Sequence, residues 1–173
     1  MIHTIFDDLR YMVKKERIDY PASTIDLGAF LEGRIAFFES VMEANRLQVN
    51  AQISRSIPVC LNEEELRRVV DNNLSNAIKY AYPDSTVDIE LAVRAQTARL
   101  CFTTRSNPID RPEKVFEPFY REAEELGGFG LGLHLVKSIC NKYGIETAIL
   151  SEEGVTTFTY SIPRGKCHEH SAA

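Results

Sequence analysis

The hydrophobic period of this chain changes at Pro83, and few architectures accommodate such a change. From Asn62 to about Ala81 the apolar residues Leu66, Val70, Leu74, Ala77 and Ile78 return every three or four positions, the period of a helix with one buried face. Asn62 can cap that helix, and Glu63 to Glu65 place negative charge at its positive N-terminal end. Beyond Pro83, Val87, Ile89, Leu91 and Val93 alternate with polar neighbours. A turn at Arg94 to Thr97 follows, and Leu100 and Phe102 alternate again. This second pattern predicts a two-stranded hairpin. A long amphipathic helix running into a hairpin needs a fold in which helices cover a sheet.

The rest of the chain fits that requirement. Ser23 to Leu27 is a short extended candidate, and Ala29 to Asn45 predicts a helix with Phe30, Ile35, Phe37, Phe38, Val41 and Met42 on or near one side. Leu47 to Ile53 alternates as a half-buried strand, followed by the apolar stretch Ile57 to Leu61. A short helix is expected over 113–118, a mobile loop over 119–128, and a helix over Gly130 to Tyr143 with Gly132, Val136, Ile139, Cys140 and Tyr143 on one face. Two strands, 145–151 and 155–162, flank the turn pair Glu153-Gly154. Helices grouped against such strands predict an α+β two-layer sandwich with a mixed, largely antiparallel sheet. At the start, Ile2, Ile5, Phe6, Leu9, Met12 and Val13 form the stripe of a further helix, 2–17, with no partner in its own neighbourhood. The expected organisation is helix end 1–17, linker and short strand 18–26, main domain 27–164 and disordered tail 165–173.

Composition narrows the class. The chain has 173 residues, 44% of them hydrophobic and 26% charged, as in one ordinary globular domain with short extensions. No apolar run approaches the roughly 20 residues that cross a bilayer, and the N-terminus has acids before bases, the reverse of a secretory leader. A cytoplasmic location is expected. A net charge of -5 argues against a nucleic-acid partner bound by counterion release. Of the four cysteines, Cys60, Cys101 and Cys140 sit in apolar stretches and are expected as buried thiols, and Cys167 with His168 and His170 falls in the expected tail.

Two segments carry chemistry. On the 62–81 helix, Asn72, Asn76, Lys79 and Tyr80 share the side opposite the apolar face, where a solvated surface would carry Glu, Lys and Ala. Asparagine oxygens suit a hydrated Mg²⁺, the lysine suits phosphate, and the tyrosine ring suits a base. Further on, the run GGFGLGL holds Gly127, Gly128, Gly130 and Gly132 immediately before a helix. Glycine backbone can approach phosphate oxygens closely, and a helix N-terminus adds about half a positive charge. The run matches neither a P-loop nor a dinucleotide fingerprint. It follows FEPFYREAEEL, a charged segment with few apolar anchors that has the character of a lid.

Together, NNLSNAIKY at 72–80, FEPFYR at 116–121 and GGFGLGLHLVK at 127–137 resemble, in order and spacing, the asparagine, phenylalanine and second glycine boxes of sensor histidine kinases. The resemblance covers residues 24–163, and 2–17 resembles the end of the dimerisation helix that precedes this domain. It implies the left-handed ATP-binding sandwich shared with gyrases, mismatch-repair ATPases and heat-shock chaperones. By position, Asn76 resembles the Mg²⁺-binding asparagine and Asn72 the residue one turn earlier beside the phosphates, and Asn72 and Lys79 would be the catalytic residues. Lys79 and Arg121 would contact phosphate, and Tyr80 would cover the adenine. Gly128, Phe129, Gly130, Leu131 and Gly132 would supply phosphate-binding backbone, with Phe116 and Phe119 anchoring the lid.

One box departs from the pattern. Where the family has DxGxGI, this chain reads TTRSNPIDRPEKVF, with no glycine. Asn107 is the substitute for the adenine-reading aspartate and Ile109 takes the apolar role, with Asp110 ranked below Asn107. The resemblance implies transfer of the ATP γ-phosphoryl, with Mg²⁺, to a histidine on a dimerisation domain, and then to a response regulator. It also implies a membrane-anchored, homodimeric full-length kinase. His3, His134, His168 and His170 lack the surroundings of the acceptor histidine, so this chain alone is not expected to phosphorylate itself. The alternative is a kinase-like interaction module whose altered box has lost ATP.

Overall fold

In the computed structural model, residues 21–121 and 130–167 are described. The expected first helix, 2–17, lies outside them. Helix α1 spans Leu27–Ala44, α2 Glu63–Tyr80 and α3 Gly132–Lys142. Strands β2 (Gln48–Ile53), β4 (Thr86–Arg94), β5 (Thr97–Arg105), β7 (Val155–Pro163) and β6 (Glu146–Glu152) lie in that order in one sheet. Strand β2 runs parallel to β4, pairing Val49 with Val87, and the remaining neighbours are antiparallel. Strands β1 (Ser23–Asp26) and β3 (Pro58–Leu61) form a separate antiparallel pair.

The alternating strands bury one face. Val87, Ile89, Leu91, Leu100, Phe102, Tyr160 and Ile162 are buried and form one core with Leu66, Val70 and Leu74 of α2 and Leu135, Val136 and Ile139 of α3. Both tight hairpins turn through left-handed residues: Ala95 between β4 and β5, and Glu153 with Gly154 between β6 and β7. The helices lie against the buried face, so the α+β sandwich expected from the change of period is the observed architecture.

Several details differ from expectation. The backbone N–H groups of Gly28 and Ala29 donate to the Asp26 carboxylate, which caps α1 and starts it two residues before Ala29. Leu27, Leu31 and Met42 form its buried face, while Phe37 is 67% and Val41 46% exposed. Phe37 instead lies under Arg34, whose guanidinium carbon is 4.5 Å from the ring centroid and which also forms a two-point ion pair with Asp71 of α2. The predicted 113–118 helix is a single 3-10 turn, Pro112–Lys114. Helix α3 starts at Gly132 rather than Gly130, because Gly130 is left-handed, with φ of 67°.

Glu65, whose neighbours serve the N-terminal end of α2, is itself buried. The Lys142 ammonium donates to both its carboxylate oxygens, at 2.8 and 3.0 Å, and the Tyr143 hydroxyl also donates to it. The Asn62 N–H donates to the same tyrosine oxygen at 3.1 Å. This cluster fastens the start of α2 to the end of α3. Burial alone would lower the Lys142 pKa, but its hydrogen bonds to Glu65 and Tyr143 outweigh that and raise it.

The cysteines require a correction. Cys101 and Cys140 are buried thiols, with burial pushing Cys140 up to about 12. Cys60, however, is joined to Cys167 in a disulfide. After β7, the Gly165 N–H donates to the Pro58 carbonyl at 2.9 Å and the Cys167 N–H to the Thr24 hydroxyl at 3.0 Å. The chain therefore continues in order along the β1–β3 pair to Cys167, past the point where a disordered tail was expected. The bridge spans 107 residues of sequence, and closing a loop of that size in the unfolded chain stabilises by about 2–5 kcal/mol. Cys167→Ser should lower the urea unfolding free energy by that amount under oxidising conditions and leave it unchanged in excess dithiothreitol.

Candidate nucleotide site

The C-terminal half of α2 opens on a cavity of about 330 Å³ lined by Asn73, Asn76, Ala77 and Tyr80, so it takes in Ala77 of the expected apolar face and leaves out Asn72 and Lys79 of the expected polar one. Asn76 and Tyr80 line it from α2, Ile109 and Asp110 from the segment after β5, Tyr120 and Arg121 from the phenylalanine-rich segment, and Leu133 from α3. Its volume falls within the roughly 300–1,000 Å³ of small-molecule sites. Sequence elements some 45 residues apart, from Asn76 to Arg121, thus meet around one concavity.

Asn73 forms the link from this cavity to the core. It is buried, its Nδ2 donates to the Val69 carbonyl at 2.8 Å, and its Oδ1 accepts from the Tyr160 hydroxyl at 3.0 Å. Tyr160 is fully buried, and that burial holds its phenol far above the ordinary tyrosine range, so the hydroxyl stays a donor. Neither residue was singled out in the sequence. A buried asparagine on an apolar helix face opposite a strand tyrosine is the only signal they leave.

Asn72 sits one turn before Asn76 and points toward α3. Its Nδ2 donates to the Arg68 carbonyl at 2.8 Å, and a Cβ placed on Gly132 would come within 2.2 Å of its Oδ1. Gly132 thus lets the first residue of α3 approach Asn72. Among the described residues, no side-chain hydrogen bond caps α3, so its first-turn N–H groups and its positive dipole end stand beside Asn72. Leu131, just before the helix, is buried and faces the interior rather than the cavity. Gly130 also marks a close approach: it is left-handed, and an added Cβ would lie 2.4 Å from the Tyr120 carbonyl oxygen. Its own carbonyl accepts from the Phe119 N–H at 3.0 Å, joining the described chain on either side of 122–129. Gly128 and Phe129 lie outside the described residues.

Other expected residues are placed differently. The Lys79 ammonium donates to the Tyr80 hydroxyl at 2.7 Å and does not line the cavity. Phe119 is 66% exposed, whereas Phe116 is half-buried, with the Lys137 ammonium 5.6 Å from its ring centroid and His134 Nδ1 3.2 Å from its carbonyl oxygen. Asn107 reaches the cavity, but it is exposed and its Oδ1 accepts from the Tyr82 hydroxyl at 2.7 Å. Deeper in the cavity lie Ser106 and Thr156, both buried and 3.0 Å apart oxygen to oxygen. Sequence reasoning passed over both, because a serine at a strand end and a threonine in a strand carry no pattern of their own.

A helix-on-sheet sandwich with Asn76, Tyr80 and Arg121 lining one cavity, and a glycine turn and helix start packed beside it, is the arrangement of a nucleotide-binding ATPase-like domain. Comparison with known proteins gives its family. The profile of the histidine kinase-, DNA gyrase B- and HSP90-like ATPases matches residues 61–166. The chain belongs to that family, and within it to the catalytic, ATP-binding domains of sensor histidine kinases. It is 32% identical over 149 residues to the sensor protein VanSC of Enterococcus gallinarum, covering 82% of this chain and 40% of that protein. With the sensor histidine kinase WalK of Bacillus subtilis it shares 29% identity over 170 residues, covering 92% of this chain and 28% of that one. The chain therefore spans well under half the length of these relatives.

Among solved structures, the Acinetobacter baumannii histidine kinase AdeS superposes with a TM-score of 0.78 at 20% identity, covering 95% of this chain and 79% of that one. The catalytic domain of histidine kinase ThkA gives 0.74 at 20%, covering 83% and 95% respectively. These two likenesses establish the fold.

The packing at Gly130 yields a prediction. Gly130→Ala should destabilise the domain by about 1–3 kcal/mol, through the left-handed backbone and the collision with Tyr120. Gly144→Ala, also at positive φ but with open space around the added Cβ, should cost less. Urea midpoints of the two variants measure the difference.

Proposed function

We propose that this domain binds Mg-ATP in the α2–α3 cavity and transfers the γ-phosphoryl to a histidine of a dimerisation domain, from which a response regulator takes it. The observation that carries the reading is the convergence of Asn76, Tyr80, Ile109 and Arg121 on one cavity beside the uncapped start of α3. Tyr80 and Ile109 offer apolar surface for a base, Arg121 offers charge for phosphate, and the first-turn N–H groups of α3, which among the described residues have no side-chain cap, offer donors. The longer protein would be a membrane-anchored homodimer with this domain in the cytoplasm. Among the described residues, no helix is long and apolar enough to cross a membrane.

Phosphoryl transfer asks for positioning and charge neutralisation more than for proton transfer. Asn76 fits a Mg²⁺ that keeps most of its waters and takes its other ligands from phosphate, since such an ion needs only one or two protein oxygens. The ion would neutralise phosphate charge. The Asn72 amide is neither an acid nor a base near neutral pH, and its Nδ2 donates to the Arg68 carbonyl. It cannot activate water as a carboxylate there would, which favours transfer to a protein acceptor over hydrolysis. Lys79, turned to Tyr80, would reach phosphate only by leaving that hydroxyl.

Calorimetric titration with Mg²⁺ and a non-hydrolysable ATP analogue tests the site. Asn76→Ala should weaken binding by about tenfold or more, the worth of roughly 1.4 kcal/mol at one charged contact. Equal affinities would remove the assignment of Asn76, and absence of binding to the unaltered chain would favour the interaction-module reading.

A further inference from the structure

The disulfide between Cys60 and Cys167 lies apart from the core, at the junction where the chain enters the domain. On β3, Val59 and Leu61 are buried in the core, so the pleat turns Cys60 to the other face, where it is half-buried. Its register partner on β1 is Thr24, whose hydroxyl accepts the Cys167 N–H. After β7, Arg164, Gly165 and Lys166 are exposed and Cys167 is half-buried. Besides the bridge, this segment is held by the Arg164 N–H on the Gln96 carbonyl, the Arg164 side chain on the Ala95 carbonyl and the Gly165 N–H on the Pro58 carbonyl. Two residues after Cys60, Asn62 caps α2 and its Nδ2 donates to the Pro21 carbonyl at 3.0 Å. Bridge, entering chain and helix start thus share one corner of the molecule.

Breaking the bridge removes no core contact, because neither cysteine belongs to the core and β3 keeps Val59 and Leu61 in it. Re-forming it is equally accessible. The two cysteines stand 107 residues apart in sequence, yet the fold sets their Cα atoms 4.8 Å apart, within the span of a disulfide. Cys101 and Cys140 are buried thiols and do not compete, since a reagent reaches buried sulfur only through unfolding. Exchange with glutathione balances without any further reactant. One glutathione thiolate attacks a bridge sulfur, forming a mixed disulfide and releasing the other cysteine as a thiolate that takes up a proton. A second glutathione attacks the mixed disulfide and frees the remaining cysteine. The bridge gains two electrons and two protons, and two glutathiones become one glutathione disulfide.

We propose that Cys60 and Cys167 form a redox-modification site, a reversible dithiol–disulfide couple that exchanges with small thiols and disulfides of the glutathione class. Its oxidised form fastens the C-terminal segment across β1 and β3, and its reduced form frees that segment at the junction with the preceding chain. The couple's role rests on the cytoplasmic location proposed above, where disulfides are rare and mostly transient or redox-sensing. Its effect is confined to the junction, because Asn76 lies 14 residues along α2 from Asn62, about 21 Å at 1.5 Å per residue.

The experiment equilibrates the folded 173-residue chain, without denaturant, in buffers of varied reduced and oxidised glutathione, then alkylates the free thiols and locates them by peptide mass. Cys60 and Cys167 should become alkylated together as the buffer turns reducing, Cys101 and Cys140 should not, and oxidised glutathione should restore the bridge. Hydrogen exchange on the same samples should quicken by about tenfold or more at 23–26 and 58–61 in the reduced form, with β5 and the core face of α2 unchanged. Cys60→Ser should show the reduced exchange pattern in every buffer. Affinity for a non-hydrolysable ATP analogue with Mg²⁺ should agree within about twofold between the two forms. A bridge that opens only with denaturant, reduction that unfolds the core, equal exchange at 23–26 and 58–61 in both forms, or a Cys60→Ser chain that still responds to glutathione overturns this inference. Absence of nucleotide binding in both forms counts against the proposed function alone, while the exchange and alkylation results still decide the redox couple.

Discussion

The contact between α2 and the sheet is the constraint on which the rest of the molecule depends. One helix must bury Leu66, Val70 and Leu74 in the core while it turns Asn76 and Tyr80 into a cavity, and the 3.6-residue period leaves little margin between the two stripes. Three devices fix its rotation and its axial position. Glu65 is held by Lys142 and Tyr143 at one end, Asp71 is held by Arg34 in the middle, and Asn73 is held by Tyr160 beneath the cavity. The last matters most for the site, because a buried amide between strand and helix costs free energy unless its partner is in place. Helix α2 is therefore set to one rotation, and Asn72 and Asn76 inherit their directions from it.

What was legible beforehand follows from where the information lies. The hairpin of β4 and β5, helix α2 and the turn at Glu153-Gly154 rest on local period and turn chemistry, which a sequence displays directly. The α1 face was misjudged because Phe37 is apolar yet exposed, covered by an arginine whose position depends on Asp71. Glu65 resembles a helix-dipole residue until Lys142, far along the chain, closes over it. The pairing of Cys60 with Cys167 depends on β7 delivering the chain to the β1–β3 pair, a fact of topology rather than of pattern.

The same reasoning separates two parts of the site. Asn76, Tyr80 and Arg121 were readable because unusual residues stood at helical or motif spacing, and the fold gathers them. Ser106 and Thr156 belong to strands β5 and β7 or their ends, where a small hydroxyl residue on the inward face has the appearance of filler. Their meaning comes only from the register that sets Thr104 opposite Thr156, and from the turn after β5 that swings Ser106 inward.

That distinction bears on how such a site changes chemistry while keeping its fold. The region beside α3 is built from a helix start and glycine backbone, whose N–H groups depend on backbone path and on close approach, as the 2.2 Å between a hypothetical Gly132 Cβ and Asn72 Oδ1 makes clear. Substitution there disturbs packing. The sheet side of the cavity is built from side chains at strand ends and turns, Ser106 and Thr156 among them, that can change without moving the strands. Side chains on the sheet side of the cavity can thus change singly, while the α3 side is bound to the backbone path itself.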